Sequence, residues 1–156
     1  MKVPFNYLNY QFKDKKKYFT EWTKLINSSE FTLGPYVEKF EKLFAKYVGL
    51  NQCISTNNGT DALILSLKSI GVKKGDEVIT VCNSFYATAG AIDACGAKII
   101  FVDSDDRYQI NIDKIEKAIT KKTKVILPVH WAGASPNMSH IMKIAKKYKL
   151  KVVEDA

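Results

Sequence analysis

Ile54-Ser55-Thr56-Asn57-Asn58-Gly59-Thr60-Asp61-Ala62-Leu63 is the stretch on which the reading of this chain turns. A short apolar run gives way to a polar turn, and the turn to an apolar segment that stops at Gly71. The pattern is strand, turn, helix. The first backbone N–H groups of a helix have no partner inside it and lie at the positive end of its dipole. A phosphate placed there accepts several hydrogen bonds at once. Gly59 allows close approach to the backbone, Thr60 adds a hydroxyl donor, and Asp61 suits a first helical turn. Taken alone, the turn reads equally well as an ordinary capped helix after a strand.

Outward from this stretch the chain repeats the same alternation. Strands are expected near 52–56, 77–81, 98–102, 124–129 and 151–154, and helices near 60–70, 86–95, 112–119 and 138–148. Runs such as Val78-Ile79-Thr80-Val81, Ile99-Ile100-Phe101-Val102 and Val125-Ile126-Leu127 are nearly all apolar, the mark of strands buried on both faces. Strands alternating with helices predict an α/β fold, a mostly parallel sheet covered by helices on both faces. Towards the amino terminus, residues 1–12 read as aromatic-rich and irregular. A helix is expected over 14–27, and a second from Gly34-Pro35 to Gly49 with Val37, Phe40, Leu43, Phe44, Tyr47 and Val48 at helical period. The organisation expected is a helical segment over 1–49 followed by an α/β domain over 50–156.

Composition narrows the class. With 156 residues, 46% of them hydrophobic, the chain can build one core. It has no apolar run of about 18 residues, so no membrane partner is expected, and its first residues lack the apolar stretch of a signal peptide. Cys53, Cys82 and Cys95 read as reduced core thiols of a cytoplasmic protein. The net charge of +8 comes almost wholly from lysine, with Arg107 the single arginine. The lysines interleave with glutamates on helix faces, as at Glu38, Lys39, Glu41 and Lys42, so a solvated surface is the reading and no nucleic-acid partner is expected. No metal site is expected.

Ligands of parallel sheets bind at the carboxyl ends of the strands. The residues that follow those ends are Asn57-Asn58-Gly59-Thr60, Asn83-Ser84-Phe85-Tyr86, Asp103, His130-Trp131 and Asp155. An anion site, a flat aromatic and a carboxylate on one rim suit a planar, phosphorylated, nitrogen-bearing ligand.

Six stretches, in order and almost end to end, resemble the amino-terminal part of the DegT/DnrJ/EryC1/StrS family of pyridoxal-phosphate-dependent sugar aminotransferases. They are Gly34-Pro35 with Phe40-Glu41, Asn58-Gly59-Thr60-Asp61-Ala62-Leu63, Gly75-Asp76-Glu77-Val78-Ile79, Ser84-Phe85-Tyr86-Ala87-Thr88, Pro128-Val129-His130, and Val153-Glu154-Asp155-Ala156. The resemblance implies the aspartate-aminotransferase fold with one antiparallel strand in a larger sheet. It also implies a cofactor that alternates between pyridoxal 5'-phosphate and pyridoxamine 5'-phosphate. The substrates implied are an amino-acid donor, usually glutamate, and a nucleotide-linked keto-deoxysugar, and the assembly implied is a homodimer. Gly59 and Thr60 then resemble the cofactor-phosphate pair, Phe85 the aromatic that stacks on the pyridine ring, and Asp155 the aspartate that pairs with the ring nitrogen. His130 occupies a strand-end position that either approaches the cofactor or packs, while Asp103 is expected to cap the next turn and Trp131 to pack.

No lysine present matches the family's catalytic lysine, which lies beyond the aspartate. The expectation is therefore a partial chain, inactive and aggregation-prone by itself. Two alternatives stay open. One is a pyridoxamine-phosphate-dependent sugar 3-dehydratase of the same family, in which histidine replaces that lysine. The other is a non-catalytic anion-binding domain.

Overall fold

The computed structural model describes residue 3 and residues 6–156. Among them the elements run α1 (Leu8–Gln11), α2 (Lys15–Ser28), α3 (Pro35–Val48), α4 (Gly59–Ser69), β1 (Glu77–Val81), α5 (Tyr86–Ala94), β2 (Lys98–Val102), α6 (Ile112–Ala118), β3 (Thr123–Leu127), α7 (Met138–Tyr148) and β4 (Lys151–Val152). Contacts group the chain into two units, one ending at Ser55 and one beginning at Thr56. No helix of the described residues is long and apolar enough to cross a membrane.

The first unit is helical. The expectation of irregular structure over 1–12 needs correction, since α1 makes one turn in which Tyr7 O accepts from Tyr10 N at 2.8 Å; residues 1, 2, 4 and 5 lie outside the described set. Asp14 caps α2 by accepting from Lys17 N, and Ser29 ends it in the left-handed region at φ 56°. Pro35 opens α3, where its missing N–H costs nothing. A Cβ on Gly34, the residue before it, would come within 2.7 Å of Glu30 O, so only glycine fits there without a shift. The apolar stripe of α3 is present as read, with the Phe40 and Phe44 rings stacked at 5.5 Å, yet only Ala45 of the helix is buried.

The strand expected over 52–56 is absent. The Ser55 N–H, which a sheet neighbour would have accepted, is instead bonded to Glu41 Oε1 at 2.7 Å, and Ile54 is 81% exposed. A strand needs a partner for its backbone groups, and among the described residues this segment has none.

The second unit is a four-stranded parallel sheet in the order β2-β1-β3-β4. Every residue of β1 is buried, as a strand flanked on both edges and both faces must be. Its core is Val78, Ile79, Val125, Ile126 and Leu127 from the sheet, Leu67, Ile92, Ile115 and Ile141 from the helices. Each fully buried side chain of this kind stabilises the fold by roughly 1.5–3 kcal/mol. Thr80 interrupts the apolar run of β1, but its hydroxyl donates to Leu127 O across the sheet at 2.8 Å, which satisfies it.

The order of the strands positions the site. From β1 the chain crosses one way to β2, then passes back over β1 to reach β3 and β4. Right-handed crossovers put α5 on one face and α6 and α7 on the other, and the contacts agree, with α4 packing on α5 and α6 on α7. The winding therefore reverses between β1 and β3, and the loops leaving their carboxyl ends diverge there. Such a switch point is where open α/β sheets bind ligands.

Two variants of the β1–β3 pair distinguish packing from hydrogen bonding. Ile126→Ala is expected to lower stability by about 2–5 kcal/mol and Thr80→Val by about 0.5–1.5 kcal/mol, read as shifts of the urea unfolding midpoint of the protein expressed from its complete reading frame.

Candidate functional site

The start of α4 is built by its own polar residues. Asn58 Oδ1 accepts from Asp61 N at 2.9 Å while Asn58 Nδ2 donates to Asp61 Oδ2 at 2.9 Å, a reciprocal cap that fixes the first turn. Thr56 Oγ1 donates to Asn58 O at 3.0 Å and tightens the approach. Gly59 needs no left-handed conformation, and a Cβ built on it would meet nothing within 4 Å. The space that glycine leaves open is thus not used by the chain itself. Thr60, the next residue, is half-buried, and its hydroxyl makes no hydrogen bond among the described residues.

At the switch point, β1 ends at Val81 and the chain turns through Cys82-Asn83-Ser84 into α5. Phe85 stands immediately before that helix, 63% exposed, with its ring centroid 4.2 Å from that of Tyr86. From the other side of the switch, Asp155 is held on the end of β3: Asp155 N donates to Pro128 O at 3.0 Å and Asp155 O accepts from His130 N at 2.8 Å. The two sides are joined by side chains. Thr88 Oγ1, on the first turn of α5, lies 2.6 Å from Asp155 Oδ2 and 2.7 Å from Ser84 Oγ. Thr88 is only 2% exposed and Asp155 is half-buried, so this contact is partly screened from solvent.

The neighbours sort as follows. His130 is mostly enclosed, with Nε2 3.0 Å from Glu154 Oε2. The contact has the distance but not the alignment of a hydrogen bond, for the same nitrogen is buried without a bonded partner among the described residues. Asp103 accepts from Ser104 N at 3.0 Å and from Lys114 Nζ at 3.0 Å, so it braces the following turn as expected. The Lys114 ammonium, and after it the Ser104 N–H, holds its carboxyl below the ordinary aspartate value. Trp131 begins a tight turn and is 39% exposed, with its carbonyl near Gln109, so it packs only in part. The three cysteines are free, but the expectation that all are core thiols fails: Cys82 is exposed because it falls where β1 has left the sheet, 4.0 Å from Asp103 Oδ1.

Of the residues singled out from the sequence, the structure brings Phe85 and Asp155 to one switch point, linked through Ser84 and Thr88. Gly59 and Thr60 stand at the start of α4, the helix that packs along α5. Thr88, which joins the two sides, received no role from the sequence. Its sequence signal was a hydroxyl among the small apolar residues Ala87, Ala91 and Ile92 of the buried face, three residues past the aromatic, and nothing local indicated a partner 67 residues further on.

The model of the DegT/DnrJ/EryC1/StrS aminotransferase family matches residues 13–156. The chain belongs to that family. It is 47% identical over 135 residues to the 3-oxo-glucose-6-phosphate:glutamate aminotransferase of Bacillus subtilis (strain 168), covering 86% of this chain and 31% of the relative. Against the UDP-2-acetamido-2-deoxy-3-oxo-D-glucuronate aminotransferase of Pseudomonas aeruginosa it is 40% identical over 149 residues, 95% of this chain and 42% of that one. Its fold is also that of DesV from S. venezuelae, solved in complex with a ketimine intermediate, with a TM-score of 0.95 at 33% identity over 99% of this chain and 42% of DesV. The chain thus spans less than half the length of each.

Removing the Asn58 cap tests the local design of α4. Asn58→Ala is expected to cost about 0.5–2 kcal/mol in urea unfolding, and Asn58→Asp to recover most of it. Lys114→Met should raise the Asp103 pKa toward the ordinary aspartate value, followed by carboxyl titration in NMR. The sign is that of a depressed acid: the stabilisation is present above the unfolded pKa and is lost as pH falls through the folded one.

Proposed function

We propose that this chain forms the cofactor-binding rim of a pyridoxal-phosphate-dependent sugar aminotransferase. The complete protein would move an amino group from glutamate to a keto group on a nucleotide-linked sugar, in surface-polysaccharide or amino-sugar biosynthesis. The names of both relatives specify 3-oxo sugars, which favours carbon 3 as the site of amination, and one names glutamate as the donor.

The observation that carries the reading is the Asp155 carboxylate. One oxygen is tied to Thr88, and the other takes no hydrogen bond among the described residues, beside an exposed Phe85 at the switch point of the sheet. The residues present fit the cofactor. The α4 amides, the open space over Gly59 and the uncommitted Thr60 hydroxyl suit its phosphate. Asp155 suits its ring nitrogen and Phe85 one face of its ring. When bound, the cofactor supplies an electron-accepting pyridine ring that stabilises carbanion charge on the substrate. Asp155 would hold a proton at the ring nitrogen, Phe85 would orient the ring and keep water from its face, and α4 would anchor the phosphate.

Three free thiols support a cytoplasmic location, and the complete protein is proposed to act there as a homodimer. No nucleic-acid or membrane partner is proposed, since the lysines are spread over helix surfaces among glutamates.

Reconstitution of the complete-reading-frame protein with pyridoxal phosphate tests the site. Thr60→Ala should weaken cofactor retention by about 1.5–3 kcal/mol, one charge-assisted hydrogen bond, with turnover of the loaded enzyme largely kept. Asp155→Ala should do the reverse and cut turnover far more than cofactor affinity. Wild-type retention in the first variant together with wild-type turnover in the second would overturn the reading.

A further inference from the structure

We propose that Thr88 is the positioning residue of this site, the middle member of a hydroxyl relay, Ser84 to Thr88 to Asp155, that fixes the Asp155 carboxylate toward the cofactor's ring nitrogen. The proposal rests on the reading of Asp155 given above. It goes further in assigning roles to two hydroxyls.

The direction of the relay follows from counting protons. The 2.7 Å contact between Ser84 Oγ and Thr88 Oγ1 is compatible with either as donor. A threonine hydroxyl has one proton, and an ionised carboxylate can only accept. The 2.6 Å contact to Asp155 Oδ2 therefore takes the Thr88 proton. Ser84 must then donate to Thr88. Each bond polarises the next, and the one that ends on the charge is of the short, charge-assisted kind.

The geometry makes this a restraint on orientation. The Asp155 backbone is already fixed by its bonds to Pro128 and His130, which leaves the side-chain torsions as the remaining freedom. Thr88 removes that freedom by holding Oδ2, and Oδ1 is left as the oxygen to face the ring nitrogen. Thr88 is itself enclosed, 2% exposed on the first turn of α5 with its backbone N–H donating to Phe85 O at 3.1 Å. The same turn thus carries the ring-stacking residue and the residue that aims the carboxylate. Their relative placement does not depend on the long chain between Phe85 and Asp155.

The test uses the complete-reading-frame protein loaded with pyridoxal phosphate labelled with ¹⁵N in the ring. Thr88→Val keeps the shape and removes the hydroxyl; Thr88→Ser keeps the hydroxyl; Asp155→Asn is the reference for loss of the carboxylate. The expected result is that Thr88→Val moves the ring-nitrogen signal part of the way toward that of Asp155→Asn. Turnover should fall between about tenfold and a hundredfold, the scale of a misplaced catalytic group, with the KM for the amino donor changed less than about threefold. Thr88→Ser should restore both, and the melting temperature of cofactor-free Thr88→Val should stay within a few degrees of wild type. A wild-type nitrogen signal in Thr88→Val, with a displaced one in Asp155→Asn, would overturn the relay and leave the Asp155 reading standing. Equal losses in Thr88→Val and Thr88→Ser would show a packing role and overturn it as well. A wild-type signal in Asp155→Asn would overturn the Asp155 reading itself.

Discussion

The position of β1 is the constraint on which the second unit depends. It is buried along its whole length and pairs in parallel with β2 on one edge and β3 on the other. A strand so placed can be left only through its carboxyl end, and the chain that leaves it must cross to one neighbour before returning past it to the other. The reversal of winding follows, and with it the divergence of two loops at one point on the rim. The apolar character of Val78, Ile79 and Val81 is thus the remote cause of where the candidate site lies.

What the fold opens, side chains then bridge. Thr88 to Asp155 is a contact between residues 67 apart in sequence, drawn together because α5 starts where β1 ends and Asp155 extends β4 along the end of β3. A parallel sheet leaves its strand ends as separate peptides. Backbone bonds from Pro128 and His130 to Asp155, and hydroxyl bonds from Thr88, convert three of those ends into one surface. At α4 the equivalent work is local, since Asn58 and Asp61 satisfy each other and leave the neighbouring Gly59 and Thr60 uncommitted.

Much of this was legible in the sequence. The helices from α2 to α7 and the strands from β1 to β4 declare themselves by apolar period and by breaks such as Gly49 and Gly71. Phe85 and Asp155 could be assigned to the rim because strand ends can be counted. The failures share a physical cause, which is dependence on distant partners. The segment around Ile54 has a strand's composition, but a strand exists only when something pairs with it, and here Glu41 takes the Ser55 N–H instead. The aromatic stripe of α3 has a buried helix's period, yet burial depends on what covers it. Thr88 resembles any small residue of a helix until the fold sets a carboxylate against it. The exposure of Cys82 likewise depends on where β1 stops, which composition does not specify.

The central claim is that the carboxylate of Asp155 and the amino end of α4 face the two ends of one cofactor. A crystal structure of the complete-reading-frame protein with pyridoxamine phosphate bound measures this directly. The account predicts Asp155 Oδ1 at hydrogen-bond distance from the ring nitrogen, about 2.7–3.2 Å, with the Gly59 and Thr60 amides on the phosphate and the Phe85 ring on one face of the pyridine. A cofactor bound with its nitrogen away from Asp155, or its phosphate away from α4, would contradict it.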